Sequence, residues 1–286
     1  MIAPLPAHLV AEAVTRTLAE DLGLSGDITS QACIPADKTA RLAMVSRKPG
    51  VIAGLQLALE AFRQVDPAIT VSLHKADGDA LAPKDVVLTA EGNARAILAA
   101  ERTALNFAGR MAGVATLTRA YVDAVAGTKA TIVCTRKTTP GLRAFEKHAV
   151  LCGGGRNHRF GLFDAVLIKD NHIGVAGGIV PALRAAKAAN GHLVKIEIEV
   201  DSLAQLDEVI AEGADVVLLD NMDAATLGAA VAKVKAGRPA MLTEASGGVN
   251  LQTVTGIAKA GVDLISVGAL THSAPVLDLG LDIAVQ

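Results

Sequence analysis

The chain has 286 residues, of which 51% are hydrophobic and only 2% aromatic, with no Trp, one Tyr and a formal net charge of -2. That length buries a sizeable core, the near-neutral charge gives no reason to expect a nucleic-acid or membrane partner, and the scarcity of rings removes the platforms on which bases stack. No apolar run is long enough to cross a bilayer, because charges and glycines interrupt each candidate.

The start, Met1-Ile2-Ala3-Pro4-Leu5-Pro6, lacks the basic and apolar regions of a secretory signal, so a cytoplasmic location is expected. Segments 40–46, 69–74 and 85–90 then read as strands with glycine or proline at the joins, the mark of a small α+β domain. A helical run over 94–126 follows, with Gly109 and Gly113 as its expected interruptions. Arg102 sits in that run, after Glu101 and ahead of an apolar face of Leu105, Ala108 and Met111. Cys33, Cys134 and Cys152 are an odd set without CxxC spacing, which argues against a disulfide framework or a zinc knuckle and leaves buried thiols.

Farther along, short aliphatic strands alternate with helical segments. The strands are expected at 131–134, 165–168, 194–200, 216–219, 240–243 and 264–267. Ser202 with Gln205 forms a capping box, Asp223 and Asn250 cap later helices, and Gly213, Gly237 and Gly261 stop them. AEGADVVLLDN and AKAGVDLISVG are two copies of one helix-to-strand join. An aliphatic core without aromatic residues suits parallel strands buried on both faces. The fold class is therefore α/β, an incomplete (β/α) barrel with a smaller N-terminal α+β domain. The first domain is expected over 1–114 and the barrel over 115–273, with the tail 274–286 packing back on the first.

One stretch concentrates charge. Between Thr135 and His172 stand Arg136, Lys137, Arg143, Lys147, Arg156, His158, Arg159 and Lys169, interleaved with the turn formers Pro140, Gly141 and Gly153 to Gly155. Fixed cations beside exposed backbone N–H groups make an anion pocket. In parallel α/β folds the C-terminal ends of strands line the active site. Arg136, Lys137, Lys169, Asp170, Glu199, Asp220, Glu244, Ser246 and Gly268 all fall at such ends and should converge on one mouth. Glu197 shares a strand with Glu199 at a spacing of two, which turns both to the same side.

With those residues assembled, the chain resembles the quinolinate phosphoribosyltransferases, type II phosphoribosyltransferases of NAD biosynthesis. The resemblance rests on EDLGLSGDITS, ERTALNF, TRKTTPGLR, GGGRNHRFGL, LIKDNH, IEIEV, LLDNM, EASGGV and ISVGALTHS, in that order over nearly the whole chain. It implies transfer from phosphoribosyl pyrophosphate to quinolinate with decarboxylation, giving nicotinate mononucleotide, pyrophosphate and carbon dioxide. It also implies that Arg136, His158, Arg159 and Lys169 hold the pyridine dicarboxylate, joined by Arg102 from the other subunit of a homodimer. By the same resemblance Lys137 and His272 approach the pyrophosphate and ribose, while Ser246, Gly247, Gly248, Gly268 and Ala269 receive the 5-phosphate. Glu199 and Asp220 match the carboxylates placed near Mg2+ and the ribose hydroxyls. Two positions depart from the family pattern: His148, where an aromatic or small residue is common, and Leu151, where arginine is frequent. The rival readings are a related protein of molybdenum-transport operons, of uncertain substrate, and a barrel lyase forming a Schiff base at Lys169. A basic nucleic-acid-binding module ranks below both.

Overall fold

The computed structural model describes residues 2–283. In chain order the elements are α1 (Ala7–Leu22), α2 (Ile28–Cys33), β1 (Thr39–Ser46), β2 (Gly50–Val51), α3 (Leu55–Val65), β3 (Thr70–Leu73), β4 (Ala80–Leu81), β5 (Val86–Asn93) and α4 (Ala94–Ala124). They continue with β6 (Thr131–Val133), α5 (Arg143–Cys152), β7 (Val166–Ile168), α6 (Asp170–Ala176), α7 (Ile179–Ala189), β8 (Ile196–Val200), α8 (Leu203–Glu212) and β9 (Val216–Asp220). The chain closes with α9 (Ala224–Gly237), β10 (Leu242–Ser246), α10 (Val254–Lys259), β11 (Leu264–Ser266), α11 (Ala269–His272) and β12 (Leu279–Ile283). Two compact units result, one of Met1–Arg119, Thr139–Gly154 and Ser273–Gln286, the other of Ala120–Thr138 and Gly155–His272.

The first unit holds a four-stranded antiparallel sheet in the order β12-β1-β5-β3. Its last strand pairs Leu42 with Ile283 through Ser46 with Leu279, and the remaining tail residues lie outside the described ones. Helix α3 buries Leu55, Ala58, Ala61 and Phe62, one stripe at helical spacing, and packs against the stripe Val10, Ala13, Val14 and Leu18 of α1.

Two expectations need correction here. Gly109 and Gly113 do not interrupt α4. A Cβ at Gly113 would fall 1.9 Å from the Pro275 carbonyl oxygen and one at Gly109 2.9 Å from that of Leu277, whose N–H donates to Gly109 at 3.0 Å. These glycines admit a crossing backbone, and the helix tolerates them because that contact offsets their weak propensity. The face of Leu105, Ala108 and Met111 is buried within this unit. Residues 139–154, expected in the barrel domain, belong to the first unit. Fully buried Glu146 of α5 accepts from the Arg110 guanidinium at 2.7 Å and from the Thr139 N–H and hydroxyl at 3.0 and 2.7 Å. The Phe145 ring meets Phe107 edge-on at 6.3 Å. A buried carboxylate with a charged partner and two neutral donors fixes α5 in place, since losing that partner would strand a charge.

The second unit is a ring of six parallel strands in the order β6-β11-β10-β9-β8-β7. Its first strand pairs with its last, so the ring is open only between β6 and β7. There Arg156 forms an isolated parallel bridge to Val133, its N–H donating to Ile132 and its carbonyl accepting from Cys134. The incomplete barrel is thus patched on its open side by a fragment of loop. Buried Ile196, Ile198, Val217 and Leu219 show why these strands read as unbroken aliphatic runs.

Local signals hold in detail. Asp223 accepts from the Thr226 N–H at 2.8 Å, and Gly213 and Gly261, at φ +92° and +88°, make the two copies of the helix-to-strand join. Ser202 accepts from Gln205, but the Gln205 side chain reaches the Asp201 N–H, one residue before the position a regular capping box uses. Asn250 caps the turn before α10 through the Gln252 and Thr253 amides, and Gly237 is the last residue of α9.

Candidate active site

A cavity of about 630 Å³ opens at the C-terminal ends of the barrel strands. Arg136 and Lys137 follow β6, Lys169 follows β7, Glu199 ends β8, Asp220 ends β9, and Ser246 with Gly247 and Gly248 closes β10. His158 and Arg159 enter from the loop that patches the open side. The barrel therefore brings together eleven of the residues singled out above, Glu244 included. Gly268, Ala269 and His272 are not in the lining, although Gly268 adjoins Lys137 and His272. A Cβ at Gly268 would lie 3.2 Å from both His272 Nε2 and Lys137 Cδ, so glycine there lets the lysine stem pass. The Thr271 hydroxyl donates to the Lys137 carbonyl at 2.7 Å and fixes that turn. Arg102 is not in the lining. It lies in the first unit, two-thirds exposed, paired with the adjacent Glu101 at 3.0 Å.

Three subsites differ in chemistry. At the basic end, the Nε atoms of Arg136 and Arg159 are buried with no hydrogen-bond partner among the described residues. Burial, then the neighbouring Arg136, pulls the Arg159 guanidinium below its usual range. Two partly desolvated cations side by side are unfavourable until an anion arrives. Lys169 Nζ pairs with Glu199 Oε2 at 3.3 Å. At the glycine turn, Gly247 and Gly248 have φ +89° and +60°, and a Cβ at Gly247 would meet Asn221 Oδ1 at 2.1 Å. Only glycine fits, and consecutive amides of this kind form a concavity for an anion. Glu199 and Asp220, on neighbouring strands, offer hard carboxylate oxygens without sulfur, the donor type that suits Mg2+ held jointly with substrate phosphates.

Beneath the cavity lies a cluster that sequence reasoning did not assemble. His158 Nδ1 accepts from the Arg159 N–H at 2.8 Å, so Nε2 carries the proton and donates to Glu197 Oε2 at 2.8 Å, with Glu244 Oε1 3.7 Å away. Both ring nitrogens thus face protein, and His158 offers its ring edge to the cavity. Burial first, and Glu197 second, push the Glu244 carboxyl up to about 7, while His158 opposes the rise. The IEIEV alternation had already turned Glu197 inward. Glu244 looked like the start of a loop, whereas β10 extends to Ser246 and carries it inside the barrel.

A pH-dependent stability follows. A carboxyl raised in the folded state contributes stability that is fully present below its ordinary value near 4.5 and lost as pH rises through about 7. Glu244→Gln should remove much of that loss, on the order of 3 kcal/mol at about 1.4 kcal/mol per pH unit. Calorimetric melting between pH 5 and 8 checks this: parallel curves for wild type and variant would show that Glu244 titrates normally.

The sequence comparisons point one way. Residues 27–112 match the family described as quinolinate phosphoribosyl transferase, N-terminal domain, and residues 114–282 match its C-terminal domain. The chain is 47% identical over 274 residues to the nicotinate-nucleotide pyrophosphorylase [carboxylating] of Mycobacterium leprae, covering 95% of this chain and 96% of that one. It is 43% identical over 268 residues to the probable enzyme of the same name from Bacillus subtilis, covering 93% and 91%. The solved nicotinate-nucleotide pyrophosphorylase from Francisella tularensis superposes with a TM-score of 0.91 at 38% identity, covering 99% of both chains. NadC from Streptococcus pyogenes superposes at 0.93 with 36% identity, covering 98% of both.

Proposed function

The chain belongs to the quinolinate phosphoribosyltransferase family, and we propose that it moves the phosphoribosyl group of phosphoribosyl pyrophosphate onto the quinolinate nitrogen with loss of carbon dioxide. The observation that carries the reading is the cavity itself: two arginines with unpartnered buried Nε atoms, a glycine anion turn, and two carboxylates. Quinolinate brings two adjacent carboxylates and its co-substrate a phosphate and a pyrophosphate. A neutral substrate would leave those cations uncompensated.

Arg136, Arg159 and Lys169 take the dicarboxylate, the arginines as planar forks and the lysine as a point charge. His158 serves them indirectly, holding the Arg159 backbone from one ring nitrogen and the buried acids from the other. Ser246, Gly247 and Gly248 receive the 5-phosphate, with Gly268 and Ala269 of the next strand end. Lys137 and His272 face the pyrophosphate. Glu199 and Asp220 would hold Mg2+, which neutralises the departing pyrophosphate when bound.

As the bond from ribose C1 to pyrophosphate breaks, the carbon gains oxocarbenium character, and Glu199 and Asp220 stabilise it electrostatically. The pyridine nitrogen donates its electron pair to C1. The cationic ring then accepts the electron pair of the bond to the adjacent carboxylate, carbon dioxide leaves, and C2 takes up one proton from Lys169 or water. The family match to phosphoribosyltransferases over both halves of the chain disfavours the Schiff-base reading at Lys169. A homodimer in which Arg102 serves the partner's site completes the proposal.

Incubation with quinolinate, phosphoribosyl pyrophosphate and Mg2+ should yield nicotinate mononucleotide and carbon dioxide, and absence of both from folded protein would refute the reading. Glu199→Ala and Asp220→Ala should lose catalysis yet still bind quinolinate in calorimetric titration. Lys169→Ala should weaken quinolinate itself by tenfold or more, about 1.4 kcal/mol. The opposite pattern would exchange the two sets of roles.

A further inference from the structure

The first unit carries a second cluster that phosphoribosyl transfer does not use. Asp77, His148 and Cys152 bring a carboxylate oxygen, an imidazole nitrogen and a sulfur within 4.8 Å of one another. Two of them share α5, where a spacing of four residues puts His148 and Cys152 on one face. The third comes from the loop between β3 and β4.

That loop is pinned. Asp77 Oδ1 accepts the Leu55 N–H at the first turn of α3 at 3.1 Å, and its Oδ2 stands 3.1 Å from His148 Nε2. The Gly78 N–H donates to Ile52 at 2.8 Å, and the Ala76 N–H donates to Asp79 Oδ2 at the same distance. The side chains of His148 and Asp77 are only 7% and 16% exposed, and Cys152 is buried. A groove lined by Leu55, Leu59, Leu73 and Leu151 leads to them, so the cluster is enclosed yet reachable.

The plain alternative is a structural His148–Asp77 pair beside a buried thiol. It accounts for two of the groups and leaves the third as coincidence. Three donors of different type on a rigid helix and a braced turn are what a borderline-soft cation selects, and hard Mg2+ or Ca2+ would choose oxygens alone. Around tetrahedral zinc the donor atoms lie roughly 3.3–3.7 Å apart, so small side-chain rotations bring this set to bonding distance.

We propose that Asp77, His148 and Cys152 form a binding site for a divalent transition-metal ion of the zinc type, with the fourth coordination position open to the groove. The sulfur–metal bond forms as the thiol proton leaves to solvent. Burial, then Asp77, pushes the free thiol up to about 12, and the cation neutralises both the thiolate and that carboxylate at once.

Cobalt(II) is the probe, because thiolate ligation gives it a near-ultraviolet charge-transfer band that oxygen ligands at the Mg2+ site do not. Tag-free, metal-free full-length protein should develop that band to one equivalent per chain, and zinc should erase it. Cys33→Ser, at an exposed cysteine, should keep the band. Cys152→Ala should abolish it, and His148→Gln should weaken cobalt binding at least tenfold. Zinc should raise the melting temperature of wild type and not of His148→Gln. No band in wild type, a band that survives Cys152→Ala, or unchanged affinity in His148→Gln each overturns the proposal. The last variant decides the matter alone if Cys152→Ala does not fold. All these readouts are independent of phosphoribosyl transfer.

Discussion

Nicotinate offered in place of quinolinate should be converted with kcat/KM lower by at least about a thousandfold, although both yield the same mononucleotide. The reason is the Nε atoms of Arg136 and Arg159, buried and without hydrogen-bond partners among the described residues. A site built around two carboxylates rejects the analogue lacking one of them by roughly 10⁴-fold or more, because a buried polar group is then left unpaired. Part of that penalty is already visible: Arg159 is pulled below its usual range by burial and by Arg136, and only anions restore the balance. Nicotinate also lacks the carboxylate that leaves, so its product needs no decarboxylation and one assay for nicotinate mononucleotide reads both substrates. Turnover within tenfold of quinolinate under matched conditions would remove Arg136, Arg159 and Lys169 from the pyridine subsite.

Most of this site was readable because barrel topology turns a local pattern into a spatial one. Arg136, Lys137, Lys169, Glu199, Asp220 and Ser246 each follow an aliphatic run, and a ring of parallel strands brings all such ends to one face. No knowledge of register was needed. The features that escaped depend on contacts between distant segments. Whether Glu244 starts a loop or continues a strand depends on its pairing beside Leu264 and Leu218. His158, placed at the dicarboxylate by resemblance, lines the cavity, and the contacts of its nitrogens with Glu197 and the next amide are not legible in the sequence.

Gly109 and Gly113 illustrate the same point from the other side. A glycine that breaks a helix and one that admits a crossing backbone have the same local sequence, and only the approach of Pro275 and Leu277 tells them apart. Helix α5 reads as part of the barrel by chain position, whereas its burial is decided by Arg110 and Phe107, more than thirty residues earlier. Cys33, expected to be buried, is exposed beside the end of a two-turn helix. Composition fixes the average burial of a residue type and not the burial of one copy.

Mixing inactive Arg102→Ala protomers with inactive Lys169→Ala protomers should restore activity to about a quarter of wild type after subunit exchange, given an isologous dimer with two sites. Half of the dimers are then mixed, and each has one site carrying both cations. The expectation starts from Arg102 itself. It is two-thirds exposed, its salt bridge is to its own neighbour Glu101, and the cavity lining comes from the second unit alone. An arginine so placed gains little from a surface pair and much from a dicarboxylate in a partner's cavity. Alone, Arg102→Ala should cost about 2–5 kcal/mol in kcat/KM, the range for removing one partner of a buried charge pair. The apolar face that follows Arg102 is buried within its own chain, so in the proposed dimer the contacts come from other residues and Arg102→Ala should leave assembly unchanged in sedimentation. Confirmed heterodimers without recovered activity would place Arg102 in its own subunit's site or outside the site altogether. Loss of the dimer in Arg102→Ala would make it an assembly residue instead. Recovery with an intact dimer leaves one arrangement: each dicarboxylate is held by cations from two chains, and a monomer lacks a complete site.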